Sequence, residues 1–319
     1  MAGDGVNDPL IVIRAIHFAA TAITTGTLMF QAVVAEPALH SAEALVTAVR
    51  TQIRRIAWIG LAITAASGAI WMLLEAAAMS GLPFNEAITA SVLSTVVNQT
   101  QFGLVLEIRF VLAIILAACL AYHRLALARW LALASALGLV AAIAWAGHAG
   151  STVGERGPLH LTADALHLIA AAAWIGGLVP FALLLAAARR HHHEAWAQLA
   201  RDATQRFSML GIASVATVLG SGIVNAWILV GSVNGLIVTP YGRLLMLKIA
   251  LFAAMVAFAA VNRFWLTPRL ALPLGGAAQR QALRQLTRNS VIEIALALMI
   301  FAIVGMLGTL HPAIHVLET

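Results

Sequence analysis

Residues 145–177 read WAGHAGSTVGERGPLHLTADALHLIAAAAWIGG, with a long apolar run on either side. The stretch carries three histidines, His148, His160 and His167, together with the carboxylate of Asp164. The pattern predicts a helix ending near His148, a glycine-rich loop, and a second helix. Along that second helix His160, Asp164 and His167 recur at i, i+4 and i+7, which is one helical face. Ionisable groups on one face of so apolar a helix mark a site, because a bilayer penalises them elsewhere.

Composition extends this reading to the whole chain. Of 319 residues, 61% are apolar and 10% charged, whereas soluble domains carry about 25% charged residues. The expected class is an all-α integral membrane protein, with the lipid bilayer as its surroundings. Eight apolar stretches reach the roughly 20 residues needed to cross a bilayer core. They lie near 10–34, 56–79, 103–122, 127–147, 161–188, 207–230, 242–265 and 290–310. Pro37, Pro158, Pro240, Pro268 and the segment 273–276 fall between them as breakers. No basic region precedes the first run, only Asp4 and Asp8, so that run is expected to remain as a membrane helix.

Several function classes fall away. The sole lysine, Lys248, follows Leu247 where a P-loop needs glycine, and no aspartyl-phosphate signature is present, so ATP is not expected to drive this chain. The formal net charge of +6 does not call for nucleic acid in a membrane protein. Cys119 is the single cysteine, which excludes CxxC metal motifs and internal disulfides. No catalytic motif points to an enzyme.

Basic residues set the expected orientation. Arg50, Arg54 and Arg55 follow the first span, Arg124 and Arg129 the third, Arg189, Arg190, Arg201 and Arg206 the fifth, and Arg263, Arg269, Arg280, Arg284 and Arg288 the seventh. The opposite connections carry Arg156 alone. Both termini are therefore expected outside, periplasmic in a Gram-negative host, with the chain multi-pass in the inner membrane.

The chain also matches itself. His17 and Gly26 align with His167 and Gly176, Arg55 and Gly60 with Arg206 and Gly211, Gly103 and Arg109 with Gly242 and Lys248, and His148 with His311. The expected architecture is two four-helix repeats of the same topology, residues 1–150 and 151–319, related by an axis along the membrane normal. His17, His148, His167 and His311 then all lie toward the outer face, joined by His160 and His315. His17 falls roughly 10 Å below the start of its span at 1.5 Å per residue.

Neutral imidazoles on facing helices make a metal site suited to copper, zinc, iron or nickel, and thioethers add preference for Cu(I). Met72, Met79, Met246 and Met306 fall in outer halves of spans, although methionine is also a common membrane-core filler. His40, His123 and the run His191, His192, His193 fall at inner ends, where a solvated reading suffices. His160 and His167 are about 10 Å apart along a helix. This suggests a deep pair, His17 with His167, and an outer pair, His148 with His160, with Asp164 between the two levels and His311 near enough to relay. Arg14 and Asp164 occupy matched positions of opposite charge, each three residues before its histidine, and are expected either to pair or to leave Arg14 snorkelling outward. Glu107 and Arg109 pose the same question on the third span.

The segment GHAG…H…DALHLIAAAAWIGGLVPFALLL, followed by RFSMLG, SGIVNAW, TPYGRLLMLKIAL and Asn262-Arg263, resembles the copper resistance protein D family of inner-membrane proteins. The resemblance is specific from about Gly147 to Arg263 and looser elsewhere. It implies copper as the ion, import across the inner membrane as the activity, and a small periplasmic copper-binding protein as partner. His148, His160 and His167 match the family's histidine pattern, with Asp164 beside them. No methionine triad or cysteine pair lines a path, which departs from a simple copper pore. The alternative from the residues alone is a b-type cytochrome, with histidines from facing helices as axial ligands of haem b.

Overall fold

A computed structural model describes residues 4–40, 42–191, 193–270 and 276–314. His192 and His315 lie outside the described residues. Among those described there is no strand, and eight helices are long and apolar enough to cross a membrane. They are α1 (Pro9–Leu39), α2 (Glu43–Ser80), α3 (Gln101–Ala121), α4 (Ala126–Ala146), α5 (Arg156–Arg190), α6 (Glu194–Val230), α7 (Pro240–Leu270) and α8 (Ala277–Leu307).

Two boundary expectations are corrected. α2, α6 and α8 start about a dozen residues before their apolar runs, because a helix continues into its polar, arginine-bearing turns where hydropathy falls. Pro37 and Pro268 do not end α1 and α7. A proline lacks the N–H for the i→i−4 ladder and its ring crowds that carbonyl. The helices absorb this in π-helical turns at Gln31–Ala35 and Asn262–Leu266, each close to its proline. A third such turn, Ala172–Gly176, precedes Pro180 in α5.

α1 is the most enclosed helix and packs against α2, α4, α5 and α8. Its meeting with α5 is a backbone-to-backbone contact. A Cβ on Gly26 would collide with Ala172 O and the Gly176–Gly177 backbone, and a Cβ on Gly176 with the carbonyl of Ala22. Small residues let apolar helices approach this closely in the absence of a hydrophobic driving force between them. Polar ties hold the other helices. The Thr25 hydroxyl donates to Ala136 O of α4 at 2.8 Å. Asn262 of α7 donates to Glu293 Oε1 of α8 at 2.7 Å, while Asn289 of α8 donates to Asn262 Oδ1 at 2.7 Å.

Corresponding devices recur along the chain. α2 and α6 both end at a glycine of positive φ, Gly81 and Gly231. α3 and α7 both start from a threonine, Thr100 and Thr239, whose hydroxyl accepts from the amide of Gly103 or Gly242 at 3.0 Å. The outer faces of α3, α6 and α7 expose Phe110, Ile114, Ile223 and Leu247, as a lipid-facing surface does.

The glycine contact makes a prediction. Gly176→Ala should lower stability by about 1–3 kcal/mol through overpacking. Gly220→Ala, which has open space around its Cβ position, should change it little. Thermal unfolding of both variants in detergent tests this, and equal midpoints would contradict the close approach.

Candidate functional site: a histidine-lined cavity

His17 and His167 stand in parallel settings. In the first, Nδ1 of His17 lies 2.9 Å from Ser67 Oγ. The Ser67 hydroxyl gives its one proton to Ile63 O at 2.6 Å, so the ring must donate through Nδ1–H and Nε2 carries the lone pair. This assigns the tautomer from the network. In the second, Nδ1 of His167 lies 3.1 Å from Ser221 Oγ, and Ser221 donates to Thr217 O at 2.6 Å. The same logic leaves Nε2 of His167 with the lone pair. Each ring rests over a glycine, Gly68 or Gly222. Ser-Gly therefore occurs at both places, about one turn out of the register that aligns Arg55 with Arg206.

The two histidines differ in what meets Nε2. For His17 it is Arg109, whose guanidinium donates to Nε2 at 2.5 Å and to Leu139 O at 2.5 Å. Trp71 covers the ring at 5.2 Å between centroids, and His17 is 3% exposed. The position of Arg109 is taken by Lys248 near His167. Lys248 makes no hydrogen bond or ion pair among the described residues, although it lies within electrostatic reach of both Asp164 and His167. His167 Nε2 has no partner among the described residues and belongs to the wall of a cavity.

That cavity, of about 370 Å³, is enclosed by α1 and α4 through α8 at the arginine-poor end of the molecule. His148, His160, Asp164 and His167 all line it, with Asn225, Tyr241 and Lys248. His160 is 1% exposed. Its Nδ1 is 2.7 Å from Thr152 Oγ1, and that hydroxyl donates to His148 O at 3.0 Å, so His160 also presents the lone pair on Nε2. His148 donates through Nε2–H to Leu307 O at 3.2 Å and packs edge-on to Tyr241. Asp164 Oδ1 accepts from Asn225 Nδ2 at 2.9 Å, and the Asn225 carbonyl oxygen is buried with no hydrogen-bond partner among the described residues. An orphaned buried acceptor asks for a donor or a cation.

Other expectations do not survive the geometry. The His17–His167 deep pair is not formed, and His17 is absent from the cavity wall. Each histidine lies nine residues from its contact glycine, Gly26 or Gly176. At 3.6 residues per turn that is about half a revolution, so the two rings point away from the contact into opposite halves. His311 is exposed and does not line the cavity. None of the described methionines lines it either, and Met79, Met246 and Met306 face outward. Arg14 and Asp164 make no ion pair. Arg14 instead lies over Trp71 at 5.3 Å, beside Gly308. Glu107 is exposed whereas Arg109 is buried. The donors of the cavity are thus nitrogen and oxygen, and among the described residues no three His, Cys, Asp or Glu side chains are close enough to hold one ion together. Ser221, Asn225 and Tyr241 escaped the sequence reading, although the repeated Ser-Gly pair was a signal for the first.

Diethyl pyrocarbonate acylates an imidazole nitrogen with a free lone pair. His167 should be modified readily and His17 should resist, as read by peptide mass spectrometry. Equal modification of both would contradict the Arg109 cap.

A family profile described as Copper resistance protein D matches residues 201–307, and one described as Copper resistance protein D-like, N-terminal domain, matches residues 6–158. The match therefore extends over the first half, where the resemblance in the sequence was looser. The chain is 33% identical over 260 residues to Copper resistance protein D of Pseudomonas syringae pv. tomato, spanning 80% of this chain and 82% of that protein. It is 30% identical over 251 residues to Inner membrane protein YebZ of Escherichia coli (strain K12), spanning 76% and 82%. Over 129 residues it is 33% identical to Copper transport protein CutJ of Bacillus subtilis (strain 168), spanning 39% of this chain and 22% of that protein.

Proposed function

The chain belongs to the copper resistance protein D family, and from that membership and the histidine-lined cavity we propose that it captures copper at its outer face and passes it inward across the inner membrane. The observation that carries this reading is the Nε2 of His167 on the cavity wall, without a partner among the described residues. Imidazole nitrogen and carboxylate oxygen are competent copper donors. In this reading His148 and His160 receive the ion at the mouth, and His167 with Asp164 takes it deeper. Donors spread through a cavity suit an ion that is handed on rather than kept in a closed cage. A small periplasmic copper-binding protein is the proposed donor to the mouth.

The arginine-rich end is cytoplasmic by the positive-inside rule, which places the cavity toward the periplasm and both termini outside. On the cavity wall Trp174 packs edge-on to Phe252, with ring centroids 6.0 Å apart, and in this reading the pair is the plug on the way inward. At helical spacing on the same sides of α7 and α8 come the buried Met255, then Asn262 hydrogen-bonded to Glu293. A thioether followed by a carboxylate supports passage along this file once the aromatic plug parts.

Lys248 fits this scheme as the group that keeps the site open. A guanidinium in its place is expected to cap His167 as Arg109 caps His17. Hydrogen bonds to charged groups contribute about 1.5–3 kcal/mol, so Lys248→Arg should weaken copper binding about tenfold or more, while Lys248→Met should bind normally. His167→Ala should abolish both bound copper and cellular accumulation. Replacing His191, His192 and His193 together by Ala should alter neither. Copper-to-protein ratios by mass spectrometry and uptake in cells measure these effects; full copper content in His167→Ala sinks the proposal.

The haem reading gains nothing from the geometry. His17 Nε2 is held by Arg109 and His148 Nε2 by a backbone carbonyl, and the four matched histidines do not face one slot. Purified protein should be colourless and contain copper; a Soret band that sharpens on reduction would reverse the choice.

A further inference from the structure

A second cavity, of about 400 Å³, lies at the opposite, arginine-rich end, between α1, α2, α3 and α4. Four guanidinium groups reach it from separate places: Arg50 and Arg54 on α2, Arg124 in the turn after α3, and Arg129 on the first turn of α4. Its deep side is apolar, with Leu28, Leu120, Ala128 and Ala132.

One carboxylate answers these four cations. Glu36 accepts from Arg50 Nε at 2.9 Å and Arg50 NH2 at 2.5 Å, and lies 4.0 Å from Arg129. Among the described residues no carboxylate is within ion-pair distance of Arg54 or Arg124. Arg54 instead donates to His123 Nε2, and His123 donates through Nδ1–H to Ala121 O at 3.3 Å. His123 thereby positions the Arg54 fork and brings no negative charge to it. Four positive charges against one negative leave three uncompensated around one cavity.

Arginines at this end of a membrane protein need no ligand when they spread into water. The second half is closer to that pattern: Arg269, Arg284 and Arg288 are exposed, and the half-buried Arg263 donates to the Ser208 hydroxyl at 2.6 Å and lies over Phe264. The four arginines of the first half converge instead. Crowded like charges repel, and planar guanidinium forks match phosphate oxygens bidentately. Basic pockets between spanning helices at the cytoplasmic side hold anionic lipid headgroups in this way. The same charges repel a copper ion, so Cys119 in this wall does not make the cavity an inner copper station.

We infer that this cavity binds a phosphate group, carried by an acidic phospholipid headgroup or by free phosphate. The apolar deep side accommodates the glycerol and upper acyl carbons of a lipid. The inference is independent of the copper site.

The test uses the full chain, delipidated in detergent, with native mass spectrometry and thermal unfolding as readouts. One arm adds micellar phosphatidylglycerol, a second inorganic phosphate, and a third phosphatidylcholine as the zwitterionic control. Binding and a raised unfolding midpoint with phosphatidylglycerol alone identify the lipid; the same with inorganic phosphate identifies the free anion. Arg54→Gln with Arg124→Gln should weaken binding at least tenfold. Arg284→Gln with Arg288→Gln, at the same end on α8, should leave it unchanged. Arg124→Gln alone changes an exposed turn residue and gives the same reading should the double variant fail to fold. The inference is overturned if neither anion binds the unaltered chain, if phosphatidylcholine binds equally well, if the cavity variants bind normally, or if the α8 variant loses binding to the same degree.

Discussion

Gly26 and Gly176 let α1 and α5 touch backbone to backbone, and the arrangement of the chemistry follows from that contact. Side chains at either position would push the two helices apart. With the glycines, the two most enclosed helices run together through the centre, and everything nine residues away on each is turned to the far side. His17 is thereby delivered to α2 and α3, and His167 to α6 and α7. The contact that joins the halves is the reason the two histidines cannot share an ion.

Once separated, the two settings differ above all in the group that meets Nε2. Serine, glycine and histidine recur with the same tautomer, so each ring offers Nε2 outward from its serine. Arginine satisfies that nitrogen in the first half and ties α3 to α4 through Leu139 O at the same time. Lysine in the second half leaves it bare. A rigid fork binds two acceptors at fixed geometry, whereas an ammonium on a flexible stem does not. One setting is a structural bolt among the first four helices, and the other is a cavity with a donor on its wall. The asymmetry also accounts for the tolerance of a cation near the proposed copper path. Lys248 is balanced across the cavity by Asp164, whose oxygen is in turn steadied by Asn225.

Much of this was legible in the sequence. Apolar runs of sufficient length announced the eight helices, and the alignment of His17 and Gly26 with His167 and Gly176 announced matched histidines. His148, His160, Asp164 and His167 were each picked out and do line one cavity. What was not legible was direction. Aligned positions do not say whether a side chain faces its counterpart or away from it, and that turned on recognising Gly26 and Gly176 as a contact. The ends of α1 and α7 were misread because a π turn lets a helix pass a proline that ordinarily stops it. The open state of His167 could not be read from spacing either, since it depends on a lysine failing to make a bond that an arginine makes. His311 and the outer methionines were grouped with the site by depth alone, and depth does not distinguish a cavity wall from a lipid-facing surface.

The central claim is that His167, not His17, carries the ion through Nε2. Crystals of the full chain loaded with copper, measured at the copper absorption edge, place the ion directly in an anomalous difference map. The account predicts a peak about 2 Å from His167 Nε2, the usual metal–imidazole distance, inside the cavity shared with His160 and Asp164. A peak at His17, a peak in the arginine-lined cavity near Cys119, or fully loaded protein with no peak at His167 would contradict it.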